Sequence, residues 1–174
     1  MVRPIRNWLL AALAAALLLL VLPALPSAVG WTLAGLLLPV LGLAVFVTAP
    51  LRRARRHFAR GAWDDAALAV AAFERSLETP WRREVARLAV GSWTSNPHAA
   101  ARNLLGAVRI EQGRLDDAAT HLDRAIALDP HYAIAWANRA LLEKKRGDLP
   151  ALERARAEAL RLGAGRARLL AALG

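Results

Sequence analysis

"NLLGAVRIEQGRLDDAATHLDRAIALDP", residues 103–130, sets the pattern for most of the chain. Leu105 and the small Gly106 precede a break at Gly113. Leu115, Ala118, Leu122 and Ala125 then recur at three- and four-residue spacing up to a stop at Asp129-Pro130. This is the pattern of two amphipathic helices joined by a glycine turn. Small residues at the crossing let the helices approach, and bulky ones fill the space beside them. A similar outline returns in "NRALLEKKRGDLPALERARAEALRLG", residues 138–163, where Gly147 stands 34 residues after Gly113. The acidic pair Asp116-Asp117 favours the start of the second helix through the macrodipole.

Helical periodicity dominates everything after residue 51, and no segment alternates like a strand. Breaks at Gly61, Thr79-Pro80, Ser95-Asn96-Pro97, Gly113, Asp129-Pro130, Gly147 and Gly163 predict about seven helices of about 10–16 residues. The 34-residue period and the placing of Leu105, Gly106, Ala118, Leu122, Ala125 and Pro130 resemble a tetratricopeptide (TPR) repeat. The resemblance is closest over 98–148. The second unit departs from it: Pro150 replaces an acidic residue, Leu152 a small one and Arg156 a bulky apolar one, so its second helix is expected to pack as a cap. Upstream, "ARGAWDDAALAVAAF" echoes "EQGRLDDAATHLDRA", which predicts a diverged repeat, the resemblance being weak over 55–93. Its first helix is the arginine-rich segment. An irregular helix over 81–93 separates the two.

The resemblance implies an all-α solenoid that binds a protein or peptide in a groove lined by the first helix of each pair. From the family pattern, the lining falls on Asn103, Ala107, Ile110, Asn138, Leu141 and Lys145. Asn103 and Asn138 would bond a peptide backbone, and Lys145 would attract a carboxylate.

Between Arg6 and Arg52 there is no charged residue. A membrane span needs about 20 apolar residues. Segments 6–24 and 29–50 each meet that and are predicted as a transmembrane hairpin, broken at Pro23, Pro26, Ser27 and Gly30. Trp8 and Trp31 stand where indole rings favour headgroups, and small residues allow the spans to pack. Pro39 is expected to bend the second span. Three segments follow: 1–51, two transmembrane helices; 52–97, a basic juxtamembrane helix and diverged repeat; 98–174, TPR-like repeats with a capping helix.

Net charge is +10. Arg3 and Arg6 carry two of the 24 positive charges, so residues 52–174 hold 22 against 14 acidic groups, a net of +8. Five of these are Arg52, Arg53, Arg55, Arg56 and Arg60. Next to an apolar block they read as a cluster for anionic headgroups. Nucleic acid is not expected, because aromatic interleaving is limited to Phe58 and Trp63. Arginines at both ends and a chargeless loop predict both termini on the cytoplasmic side of the inner (plasma) membrane.

No cysteine is present, which removes disulfides and Cys-ligated metals. His57, His98, His121 and His131 are scattered, and there is no phosphate loop or H-E-x-x-H motif. No enzyme, cofactor or metal is expected. The reading is a membrane-anchored adaptor for a protein or peptide. Its alternatives are an accessory subunit or assembly factor docked through its spans, and a periplasm-facing repeat protein. Homo-oligomerisation is left open.

Overall fold

The computed structural model describes residues 27–90, 94 and 96–165. The predicted first span, 6–24, lies outside them, as do Arg3, Arg6, Trp8, the side chain of Trp31 and the segment from 166 onward. Among the described residues there are eight helices and no strand. They are α1 Ser27–Val47, α2 Ala49–Ala59, α3 Trp63–Ser76, α4 Pro80–Val90, α5 Pro97–Glu111, α6 Leu115–Leu128, α7 Ala133–Arg146 and α8 Leu149–Arg161. The last seven follow the breaks expected from the sequence.

Three helical hairpins form: α2 with α3, α5 with α6, and α7 with α8. Each turns on a glycine in the left-handed region, with φ of 74° at Gly61, 72° at Gly113 and 77° at Gly147. That backbone is costly for a residue with a Cβ. Helix starts carry local caps. The Asn96 side chain accepts a 2.9 Å bond from the His98 amide ahead of Pro97. Asp148 does the same for Ala151 at 2.9 Å.

The hairpins cross at small residues. Ala54 and Ala140 are fully buried at the positions equivalent to Gly106. A Cβ on Gly106 would lie 2.6 Å from Leu122 Cγ and 2.7 Å from its Cδ2. Stacking then builds the core. Leu51, Ala54, Val70, Phe73 and Leu77 of the first hairpin pack with Ala86 and Val90 of α4 and with Ala100, Ala101, Leu104 and Leu105 of α5. The core thus runs across the expected boundary at residue 97. Full burial of a side chain such as Phe73 is worth about 1.5–3 kcal/mol.

Neighbouring hairpins share a polar latch as well. Gln112 at the end of α5 donates 2.8 Å to Asp64 at the start of α3. Arg146 at the end of α7 reaches Asp116 at the start of α6 at 2.6 Å. The residues occupy equivalent places: one before, and three after, a turn glycine. Pro150, the next in that series, offers no acceptor. The cap expected from α8 packs on α7 through small residues, Ala155 and Ala159, while Arg156 turns outward to Glu153.

The apolar segment differs from its expected form. The helix from Ser27 continues through Pro39 and breaks at Thr48 instead. Among the described residues no single helix is long and apolar enough to cross a membrane. Gly35–Val47 with Ala49–Ala59, bent by 50°, meets that test only as a pair, by length and composition. A span running to residue 50 is therefore corrected: Val47 is buried in the core, and Ala49 already begins the first repeat hairpin.

Gly106→Ala should destabilise the chain. Better helix propensity offers about 1 kcal/mol, but the overlap with fully buried Leu122 costs more, leaving a net loss of about 1–3 kcal/mol. Urea unfolding of the full chain in detergent, followed by circular dichroism, measures this. In the Leu122→Ala background the Gly106→Ala loss should vanish. A stabilised single variant would contradict the close crossing.

Candidate partner-binding groove

The first helices α2, α5 and α7 touch one another in order along one side of the stack. Their side chains facing away from the hairpin cores are the surface available to a partner. Ala107 and Leu141 are half-buried at equivalent places on α5 and α7, and Asn138 lies half-buried beside them. Lys145 is exposed and pairs with Glu111 at 3.8 Å.

Two of the expected lining residues have other work. Ile110 is only 1 % exposed and packs with Ala118, Leu122 and Leu142 between hairpins, so it presents no surface. Asn103 is 6 % exposed. Its amide donates to the Tyr132 hydroxyl at 3.3 Å, and its carbonyl accepts from Asn138 at 2.8 Å. A buried amide needs such partners, because leaving one unmade costs about 1–3 kcal/mol. Asn103 is thus a strut between α5 and α7, while the Asn138 carbonyl keeps its acceptor.

Tyr132 stands just before α7 and went unnoticed in the sequence. Its ring is 2 % exposed, among Ala99, Ala125 and Ala135. Burial raises its pKa to about 12, opposed by the positive charge of Arg55 and the bond with Asn103. Asp129 secures the same corner. It accepts 2.5 Å from the Thr94 hydroxyl and 3.1 Å from the His131 amide.

The arginine run splits between roles. Arg52 donates to the Thr48 hydroxyl at 2.6 Å and to the Val45 carbonyl, closing the end of α1. Arg55 turns inward toward Tyr132, and burial lowers its pKa. Arg53, Arg56 and Arg60 are exposed. Arg55 holds on α2 the place that Ala107 and Leu141 hold on α5 and α7, six residues before the turn glycine.

Between α6 and α7 runs an ion ladder. Glu143, 3 % exposed, lies 2.7 Å from Arg139 and 3.8 Å from Arg146, and those arginines also reach Asp123 and Asp116. It locks the register of the last two hairpins and holds Lys145 toward Glu111. Burial lowers the pKa of His98 and of His121. Among the described residues no group of three or more His, Asp or Glu side chains is placed to hold a metal ion.

The chain has one tyrosine, so its ultraviolet ionisation reports Tyr132 alone. The folded pKa is raised, so the stabilisation from keeping this group neutral is complete below about pH 10. It is lost as pH climbs toward about 12. Absorbance at 295 nm should show no phenolate in the native chain at pH 10.5 and substantial phenolate after urea unfolding. Native titration with a midpoint near 10 would contradict the buried strut.

A family model described as a TPR repeat matches residues 106–147. No curated protein and no solved structure matches the chain. The matched segment begins at the crossing glycine of the second hairpin, ends at the turn glycine of the third, and takes in the ion ladder. The chain therefore carries a TPR repeat, a module that as a rule binds protein rather than catalysing a reaction.

Proposed function

We propose that the chain is a membrane-anchored TPR adaptor. It holds a protein or peptide partner at the cytoplasmic face of the inner (plasma) membrane, with both termini cytoplasmic. The observation that carries the binding half is the row of first helices α2, α5 and α7. It offers Ala107, Asn138 and Leu141 half-exposed, between the cations Arg55 and Lys145. Such a surface suits an extended or helical segment with small apolar side chains and an acidic group.

The anchoring half rests on α1 and the charge pattern. Leu36 is 69 % exposed, Leu38 67 % and Val40 64 %, with no polar face opposite them. Apolar surface of that extent needs a lipid or protein cover. Arginines flank the chargeless block on both sides, which favours a cytoplasmic repeat.

The bare surface of α1 also supports a second reading: an accessory subunit or assembly factor docked through its apolar segment into a larger membrane complex. A periplasm-facing repeat protein requires the flanking-charge rule to be reversed.

Site-specific photocrosslinking separates these readings. With p-benzoylphenylalanine at Ala107 or Leu141, an adaptor should give a discrete adduct in cells, and the same probe at Ala127 on α6 should give none. Adducts confined to a probe at Leu38 would overturn the groove reading in favour of the docked subunit.

A further inference from the structure

Gly61 and Gly113 stand 52 residues apart, 18 more than the period between Gly113 and Gly147. The extra length contains α4. This helix belongs to no hairpin; it packs against α1 and α5. Its inner side supplies Ala86 and Val90 to the core that also holds Val47. Its outer side is not polar throughout. Trp81 is 46 % exposed and Leu88 84 %. Seven residues apart, they lie within about 20° of each other around the helix.

Phe46, near the end of α1, is 59 % exposed and belongs to the same patch. The Arg82 guanidinium bridges them, 5.5 Å from the Phe46 ring centre and 5.2 Å from that of Trp81. Arg83 and Arg87 are exposed along the same helix, and the acid there, Glu84, pairs with Arg87 at 3.6 Å. The helix that follows α1, α2, exposes Arg53 and Arg56. An indole and a leucine on one face, arginines around them and contact with the end of an apolar helix fit the boundary between headgroups and acyl chains.

We infer that α4 is an interfacial helix. Trp81, Leu88 and Phe46 insert at the level where α1 leaves the bilayer, and Arg82 and Arg87, which flank that face, meet anionic lipid phosphates. The inserted helix then fixes the tilt of the solenoid against the membrane rather than extending the groove. This rests on the membrane anchoring proposed above.

The test uses the full chain, which has no natural cysteine. Single cysteines at Leu88, and separately at Arg124 on exposed α6, carry an environment-sensitive NBD dye. The protein is reconstituted into phosphatidylcholine vesicles with and without phosphatidylglycerol. Flotation reports anchoring, and quenching by nitroxides placed shallow in the lipid reports depth. The expected result is flotation of both variants, with quenching at 88 several-fold above that at 124 and strengthened by phosphatidylglycerol. Flotation with equal, weak quenching at both sites overturns the interfacial helix and leaves the anchor standing. A blue-shifted dye at 88 that no lipid nitroxide quenches means a protein covers the patch, and also overturns it. Failure to float removes the anchor and this inference together.

Discussion

The approach of two helices within one hairpin governs everything else in the chain. At Gly106 there is no room for even a methyl group against Leu122. At the same place in the neighbouring hairpins the chain uses Ala54 and Ala140, both fully buried. Such a crossing brings backbones close and leaves a continuous apolar side on each hairpin. One hairpin cannot bury that side alone, so the next must stack on it. The row of first helices is a consequence of that stacking, and so is the surface that a partner would meet.

Stacking needs register as well as apolar area. The two equivalent latches, Asp64 with Gln112 and Asp116 with Arg146, tie the turn end of each hairpin to the first helix of the next. As exposed pairs they contribute little energy, about 0.2–1 kcal/mol each. Their value is geometric, since they recur at matching positions although α4 lengthens one of the two connections. Inside, the Tyr132–Asn103–Asn138 chain and the contact of buried Glu143 with Arg139 do the same work around side chains that water does not reach, Tyr132, Asn103 and Glu143. There each unmade bond would cost more.

The parts legible in the sequence were those set by neighbours along the chain. Glycine turns, proline stops and 3.6-residue periodicity placed seven helices, and Gly106 announced the crossing. The parts that were not legible depend on partners far away. Nothing beside Asn103 in the sequence indicates that Tyr132, 29 residues on, takes its amide, so it read as a lining residue. Ile110 sits on the expected face, yet Leu142 from the next hairpin covers it. The arginine run looked uniform because composition carries no direction. A helical break at Thr48 sends Arg52 back to the Val45 carbonyl of α1 and Arg55 toward Tyr132. The pairing of α4 with α1 had no signal in either segment alone.

The function proposed above joins the two halves of the molecule: an apolar N-terminal segment would hold the TPR-bearing stack at the inner face of a membrane. Its most direct test exploits the absence of cysteine. A cysteine at Ser27 and, in a separate variant, one at Ala164 are exposed to a membrane-impermeant maleimide in intact cells. The account predicts labelling at Ser27 alone, with Ala164 reacting only after lysis. Labelling of Ala164 in intact cells would contradict it and would place the groove on the outer side.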